Sequence, residues 1–302
     1  MRRAATRSFV IFGAPFNMAI VSRGGIIRPT GGLIRLGGGA EDHWRWRTFG
    51  DAVTDALAMN LNDFAVSRAI PVEICDHIFV PQDDHGAIAC IVYNLVVQCV
   101  DLGIAITGGE TAIHEGMKGL EISITMRGIK RSCAPNLFQA GDALVGIASS
   151  GAHANGYTKI HHVLDIQEFL PESITTPTLI YHDAVDGVDR VCGIHGMTHI
   201  TGGAFTKIKK FLCGNDAHIH RDHGLVPHDI FWQLVKKGVP EREMYCTFNC
   251  GIGFVIGIHP SMINTCLSIL RQRFNADVIG EVKSGTGMVH MQSMFSHMHH
   301  VL

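Results

Sequence analysis

A short stretch in the middle of the chain combines small, hydroxyl and amide residues around one histidine. It runs from Ser149 to Tyr157 with the sequence SSGAHANGY. The apolar run ALVGIA at 143–148 precedes it, and the helix-like KIHHVL at 159–164 follows it. A strand that enters a glycine-rich turn and then a helix directs backbone N–H groups at one point, which suits an anion such as phosphate.

Two acidic residues are candidates for metal binding. Glu110 belongs to Gly108-Gly109-Glu110-Thr111, which follows a short apolar run. Glycines let the backbone approach a ligand, and a carboxylate beside them can hold Mg²⁺ against phosphate. Asp63 follows Asn62 in an apolar helix, where an acid is costly unless it is paired or metal-bound. The alternatives are a purely structural turn at 108–111 and an Asp63 that faces solvent.

The elements that carry these residues alternate along the chain. Helices are predicted over 54–67, 87–101, 177–188, 204–212, 228–237 and 261–274, and strands over 72–80, 103–107, 120–129, 143–148, 251–258 and 276–283. This alternation predicts an α/β fold with two domains. The CAPN stretch at 133–136 predicts a boundary, with a basic arm over 1–11, an N-terminal domain over 12–135 and a C-terminal domain over 136–302.

In chain order, these segments resemble the aminoimidazole ribonucleotide (AIR) synthetase family. The strings that carry the resemblance are the helix ending in Asn62-Asp63, the strand with Asp76, GGETA at 108–112 with Gly116-Met117, SSGAHANGY at 149–157, HITGG at 199–203, MYCTFNCGIG at 244–253 and Gly280-Glu281-Val282. They span about 12–289. The SSGxHxNGY and TFNxGIG strings favour this family over selenophosphate synthetase, thiamine-phosphate kinase and hydrogenase maturation proteins, which share its fold.

The resemblance implies two α/β domains and a homo- or heterodimer in which the N-terminal sheets build a shared barrel. It implies an ATP-dependent cyclo-ligase of purine biosynthesis, which uses Mg-ATP to activate the formyl oxygen of formylglycinamidine ribonucleotide before an amidine nitrogen closes the imidazole ring. His153 and Asn155 are then candidate catalytic residues, with Asp63 and Glu110 as metal ligands. The residues implied to bind nucleotide or substrate are Asp63, Gly108, Gly109, Glu110, Thr111, Ser150, Gly151, Thr201, Gly202, Gly203, Thr247 and Asn249.

Three departures from the family pattern concern the handling of ATP. The family's TDGxGTK segment is replaced at 27–39 by IRPTGGLIRLGGG, which has neither Asp-Gly nor Lys. The segment before Phe12 is short. Ala204 replaces the last glycine of HxTGGG, and IHE at 113–115 replaces the usual EMP. A Cβ at a phosphate-cradling glycine can block close approach.

Two hypotheses follow. In the first, the chain is catalytically impaired and acts as a structural or assembly subunit of a mitochondrial complex, such as the ribosome or an RNA-processing assembly. In the alternative, it is an active AIR synthetase. Arg2, Arg3 and Arg7 precede the first acid, Glu41, and resemble a mitochondrial transit peptide; a basic arm of a cytoplasmic protein is the alternative.

The composition limits other classes of function. The 302 residues carry a net charge of −2 with 46% hydrophobic and 17% charged residues, and no apolar run reaches the roughly 18 residues of a membrane span. Small, scattered lysine clusters give no direct nucleic-acid signature. Nine cysteines without a CxxC pair predict free thiols. The tail with His290, His297, His299 and His300 either binds a metal or forms a frayed, solvated end.

Overall fold

The computed structural model describes residues 18–22, 39–165 and 172–302. The predicted basic arm at 1–11 and most of the glycine-rich segment at 27–39 lie outside these ranges. Within them the chain forms two sheets, each with its own helices, so the predicted α/β fold is confirmed.

The first sheet has four strands in the order β1-β4-β2-β3, with β2 parallel to β3 and antiparallel to β4. The strands are β1 (Met18–Ser22), β2 (Ala69–Val80), β3 (Ala105–Ile113) and β4 (Glu121–Lys130); the helices are α1 (Gly39–Trp46), α2 (Phe49–Val66) and α3 (His85–Asp101). Alternate residues of β2 and β4, such as Ile74 and Ile122, share one apolar core with Leu57 and Phe64 of α2 and Ile91 of α3. The helices therefore cover one face of this sheet.

The second sheet has seven strands in the order β11-β10-β7-β9-β5-β8-β6. The strands are β5 (Ala143–Ala148), β6 (Gly196–His199), β7 (Asn215–Ile219), β8 (Ile252–Ile258), β9 (Ala276–Ser284), β10 (Val289–Gln292) and β11 (His299–Val301). The helices are α4 (Tyr157–Val163), α5 (Glu172–Thr175), α6 (His182–Cys192), α7 (Asp229–Lys236), α8 (Glu241–Thr247) and α9 (Ile263–Leu270), with 3₁₀ helices over Ala204–Phe211 and Pro260–Met262. The central strands β5 and β8 are buried along almost their whole length, which explains their continuous apolar sequences.

The structure corrects three sequence predictions. The glycines at 108–109 lie inside β3 and do not form a turn at its end. The helix predicted from residue 177 begins at His182, because the N–H groups of Thr178 and Tyr181 donate to α2 side chains. The histidine-rich tail is not frayed: it forms β10 and β11, and Leu302 is buried.

A buried ion-pair network joins the two halves. The Arg68 guanidinium, only 3% exposed, pairs with Asp189 at 3.2 Å and donates to the carbonyl of Ile194 at 2.6 Å. Arg131 binds Asp189 and also Asp186, the latter at 2.6 Å. Because two guanidinium groups compensate these carboxylates, the N-terminal helices are held in fixed contact with α6.

No helix among the described residues has both the length and the apolarity needed to cross a bilayer.

Candidate functional site

Three loops meet at the ends of β5, β6 and α8. The first follows β5 and spans 149–156, the second follows β6 and spans 200–204, and the third spans 247–251. We call them the SSG, TGG and TFN loops after their sequences. The Asn155 amide joins them, because its Nδ2 donates to the Thr247 carbonyl at 2.6 Å while its Oδ1 lies against Gly202.

Asn249 fixes the relative position of the SSG and TFN loops. Its Oδ1 accepts hydrogen bonds from the Ser149 hydroxyl at 2.8 Å and the Gly251 N–H at 3.0 Å, and its Nδ2 donates to the Gly151 carbonyl at 2.7 Å. The amide is buried and satisfied on both sides. Asn249 therefore shapes the backbone of the loops through its own hydrogen bonds.

His153 lies beneath the SSG loop. Its side chain is fully buried, and its Nε2 accepts the Ser150 N–H at 2.9 Å. Burial, followed by the neighbouring His199 and His228, lowers the pKa of His153 well below its usual value. A neutral ring that accepts at Nε2 carries its proton on Nδ1, and Nδ1 has no hydrogen-bond partner among the described residues. The catalytic role of His153 stays a prediction, since in this conformation the ring supports the loop.

The TGG loop presents backbone to solvent. Gly202 and Gly203 are exposed, and Gly203 has a φ of +84° immediately before the 3₁₀ helix. The next residue, Ala204, keeps a left-handed φ of +42°, but its side chain is completely buried in the apolar core. The methyl group that replaces a family glycine therefore points into the core and leaves the exposed side of the loop open.

Lys207 is a site residue that the sequence analysis missed. Its Nζ donates to the His199 carbonyl at 2.8 Å and to the Thr201 hydroxyl at 2.7 Å. This places a cation one turn after the exposed glycines. The signal that could have identified Lys207 is its position six residues after Thr201, in the 3₁₀ helix that follows the TGG loop. In the sequence it appeared only as one member of a small lysine cluster.

Backbone strain is concentrated in these loops. Among the described residues, seven non-glycine residues have a positive φ, and four of them lie here: His153, Ala154, Ala204 and Cys250. Each left-handed residue of this kind costs roughly 1–2 kcal/mol. Such strain persists only where the surrounding structure enforces it, and it is typical of binding and catalytic loops.

Asp63 approaches this cleft from the N-terminal domain. The neighbouring Asn62 accepts the Tyr181 N–H at 2.8 Å and donates to the Leu179 carbonyl at 2.9 Å, which anchors the end of α2 on the second domain. The Asp63 carboxylate then lies 3.9 Å from Nδ1 of the buried His199, just before the TGG loop. The structure therefore places Asp63 beside the end of β6, the strand that leads into the predicted Thr201–Gly203 segment.

Glu110 and its neighbours lie elsewhere. Gly108, Gly109, Glu110 and Thr111 form the middle of the edge strand β3, and all four are exposed. Glu110 is in register with His77, six residues beyond Pro71 on β2. Pro71 pairs with Gly128, which is the residue that Phe64 contacts. At about 3.3 Å per residue, Glu110 is roughly 20 Å further along the sheet than Pro71.

Asp76 is the second residue that the sequence analysis did not assign. It pairs with Gly109, and a Cβ at that glycine would lie 2.2 Å from the Asp76 carboxylate. Burial raises the pKa of Asp76 above its usual value. Gly109 is therefore required by the Asp76 side chain, which explains a glycine inside a strand.

Comparison with known proteins identifies the family. Residues 42–130 match the N-terminal domain of AIR synthase related proteins, and residues 139–291 match the C-terminal domain. Phosphoribosylformylglycinamidine cyclo-ligase from Methanosarcina barkeri is 34% identical over 236 residues, covering 72% of this chain and 68% of that protein. The Geobacillus enzyme of the same name is 32% identical over 258 residues, which cover 78% of this chain and 74% of that protein.

Solved structures agree in fold. The hydrogenase maturation protein HypE in complex with ATP aligns with a TM-score of 0.65 and 17% identity, covering 99% of this chain and 87% of that one. Thiamine-monophosphate kinase from Stenotrophomonas maltophilia aligns with a TM-score of 0.63 and 16% identity, and the alignment covers 93% of this chain and 86% of the kinase. On the two domain matches and the identity to the cyclo-ligases, this chain belongs to the AIR synthase related family.

Proposed function

We propose that this chain is an AIR-synthase-type protein that is impaired in Mg-ATP chemistry and works as a dimeric structural or assembly subunit. The observation that carries the proposal is an uncharged, exposed apolar face on α3 beside the edge strand β3. Its exposed side chains are Val92, Tyr93, Val96, Val97 and Val100. We call this surface the α3 face.

The partner that fits the α3 face best is a second copy of the chain. From His85 to Val100 the helix contains no lysine, arginine, aspartate or glutamate, so two copies can meet without burying charge. Next to it, β3 is the edge of its sheet within the described residues, and it exposes Ile106 and Ile113. An edge strand with apolar side chains favours pairing with another sheet.

The proposed impairment in Mg-ATP chemistry rests on where the acidic side chains of the N-terminal domain lie. Mg²⁺ bound to a nucleotide is usually held by one or two protein carboxylates at one point. Glu110 is exposed on the edge strand β3, whereas the Asp63 carboxylate lies beside the buried His199 of the second domain, so we infer that these two residues of one chain do not hold a shared ion. Asp76 is buried on the other face of the sheet from Glu110.

The experiment is a cyclisation assay with purified chain, formylglycinamidine ribonucleotide, ATP and Mg²⁺, with the Methanosarcina barkeri enzyme as positive control. We expect no aminoimidazole ribonucleotide from this chain. Calorimetric titration with Mg-ATP is run in parallel on the parent, Asp63→Asn and Glu110→Gln. Micromolar binding that is lost in both variants would contradict the impairment.

The mitochondrial part of the proposal depends on the arginine-rich start of the sequence. We expect the native protein to sediment with a large particle in gradients of mitochondrial extract. A dimer that remains at the top of the gradient, or that is found only in the cytoplasm, would refute this part.

The second candidate is an active cyclo-ligase, and the strained three-loop cleft favours it. Exposed backbone at Gly202–Gly203, with the Lys207 ammonium behind it, suits the phosphate of a ribonucleotide. In this role Asn155 and Asn249 would orient the loops, and His153 would hold the SSG loop in place. Turnover in the cyclisation assay that falls in Asn155→Ala would establish this candidate over the first.

A further inference from the structure

The C-terminal tail brings histidines onto one face of the second sheet. β10 runs parallel to β7, with His290 directly opposite His218. Asp216 lies two residues before His218 on the same strand, and residues two apart point to the same side of a sheet. The opposite side of these strands, with Ala217 and Val289, is buried in the core. The three polar side chains therefore share the outer, partly exposed face.

Their geometry is close to that of a coordination site. The rings of His218 and His290 are parallel within 3°, with centroids 4.5 Å apart. Nε2 of His290 is 3.3 Å from Oδ2 of Asp216. One ligand atom from each of the three residues can be chosen so that all lie within 4.8 Å of one another.

The Asp216 carboxylate is held in position from behind. Its Oδ1 accepts three backbone N–H groups, from Thr286 at 2.8 Å, Gly287 at 2.9 Å and Met288 at 2.8 Å. The turn between β9 and β10 therefore wraps one oxygen and leaves the other facing the histidines. Such outer hydrogen bonds orient the carboxylate ligands of metal sites.

We propose that Asp216, His218 and His290 bind a divalent transition-metal ion of the Zn²⁺ type. Two imidazoles and one carboxylate are a donor set that Zn²⁺ prefers, with bonds of about 2.0–2.2 Å. Tetrahedral bonds of that length place ligand atoms about 3.3 Å apart, which the pair of His290 and Asp216 already shows. His218 reaches the same ion by a rotation of its partly exposed ring.

The fourth position is open to water or to His299. The His299 ring is exposed on β11 and lies 5.4 Å from the His290 ring. An ion here would join β7 to β10, next to the edge strand β11 and far in sequence from Asp63 and Glu110. The inference is therefore independent of the proposed function and of any Mg-ATP site.

The test is calorimetric titration of chelator-treated, full-length chain with ZnCl₂, combined with the absorption spectrum of the Co²⁺-loaded protein. We expect one tight Zn²⁺ per chain and Co²⁺ bands in the visible. His290→Gln and Asp216→Asn should each weaken this step at least about tenfold, the smallest loss typical of even an outer-shell change. The Asp216→Asn variant keeps a side-chain oxygen that can accept the three backbone N–H groups of the turn, so it should fold.

His162→Gln serves as the matched control, because His162 is exposed on α4 and outside the cluster. It should bind Zn²⁺ like the parent. Circular dichroism verifies that each variant is folded. Absence of a stoichiometric Zn²⁺ step, or equal affinity in folded His290→Gln and the parent, would overturn the proposal.

Discussion

Replacing Val96 by glutamate should separate two copies of the chain. Val96 is central on the α3 face, with Val92 and Val100 one turn away on either side, where residues four apart are neighbours on a helix. It is 44% exposed in the single chain, and Val100 is 71% exposed. A partner that covers this face must therefore bury Val96.

The magnitude follows from exposed area. The five apolar residues of the α3 face together amount to about two and a half fully exposed side chains, and burying each stabilises by about 1.5–3 kcal/mol, or about 4–8 kcal/mol per copy. Association itself costs about 4–15 kcal/mol. The helix faces of two copies therefore roughly offset that cost, and contacts along β3 must supply the surplus that makes the dimer stable.

In Val96→Glu each copy loses about 1 kcal/mol of apolar burial and gains a buried carboxyl group, which costs more than the about 1–3 kcal/mol of an uncharged polar group. A two-fold interface contains the change twice, so the dimer loses at least about 4 kcal/mol, or about a thousandfold in Kd. Light scattering after size exclusion, read against the chain mass of 32.9 kDa, measures the shift.

Val191→Glu is the matched control for this variant. Val191 is 58% exposed, but it lies on α6 of the C-terminal domain. It should leave the association unchanged. A parent that is monomeric at micromolar concentration, or a Val96→Glu variant that associates like the parent, would refute the assignment of the α3 face.

Two further predictions concern the three-loop cleft. Gly156→Ala should lower the free energy of unfolding by roughly 3 kcal/mol, because φ is +81° and the new Cβ would lie 2.2 Å from the Phe248 ring. Gly193→Ala, at φ +67° with open space around it, should lose only about 1 kcal/mol in the same urea titration; equal losses would contradict the steric argument. In the folded state the pKa of His153 lies well below 6.5. Below pH 6.5 the unfolded chain therefore binds a proton at this residue that the folded chain does not bind. The free energy of unfolding should fall as the pH is lowered, by up to about 1.4 kcal/mol per pH unit from this residue. Urea titrations from pH 5 to 7 should show that the free energy of unfolding depends less on pH in His153→Gln than in His162→Gln. Identical pH dependences in the two variants would contradict a lowered pKa for His153.

Local sequence patterns predicted most of the fold. The apolar runs at 143–148 and 251–258 are strands because they are buried on both faces, and the helical spacing at 87–101 is α3. The SSG turn was predicted from its glycines, since glycine marks the positions that need left-handed backbone. These signals succeed because the structures they describe depend on residues close together in the chain.

Contacts between distant residues could not be predicted in this way. The helix predicted from 177 begins five residues late because Asp55 and Asn62 capture the N–H groups of Thr178 and Tyr181, more than a hundred residues away. Gly109 looked like a turn glycine, but the Asp76 side chain of the neighbouring strand requires it. In both cases a long-range partner overrides the local preference.

Ala204 shows why a departure from a family motif has to be judged in three dimensions. In the sequence, a Cβ at a phosphate-cradling glycine indicates an obstructed site. In the structure, the backbone of Ala204 has a left-handed φ of +42° and the methyl group packs into the core, so this methyl group does not cover the exposed side at Gly202–Gly203. The burial of one methyl group, about 0.8 kcal/mol, offsets part of the strain of about 1–2 kcal/mol. The case for impaired chemistry therefore depends on the N-terminal carboxylates, and a cleft that still accepts a phosphorylated ligand is compatible with either proposed function.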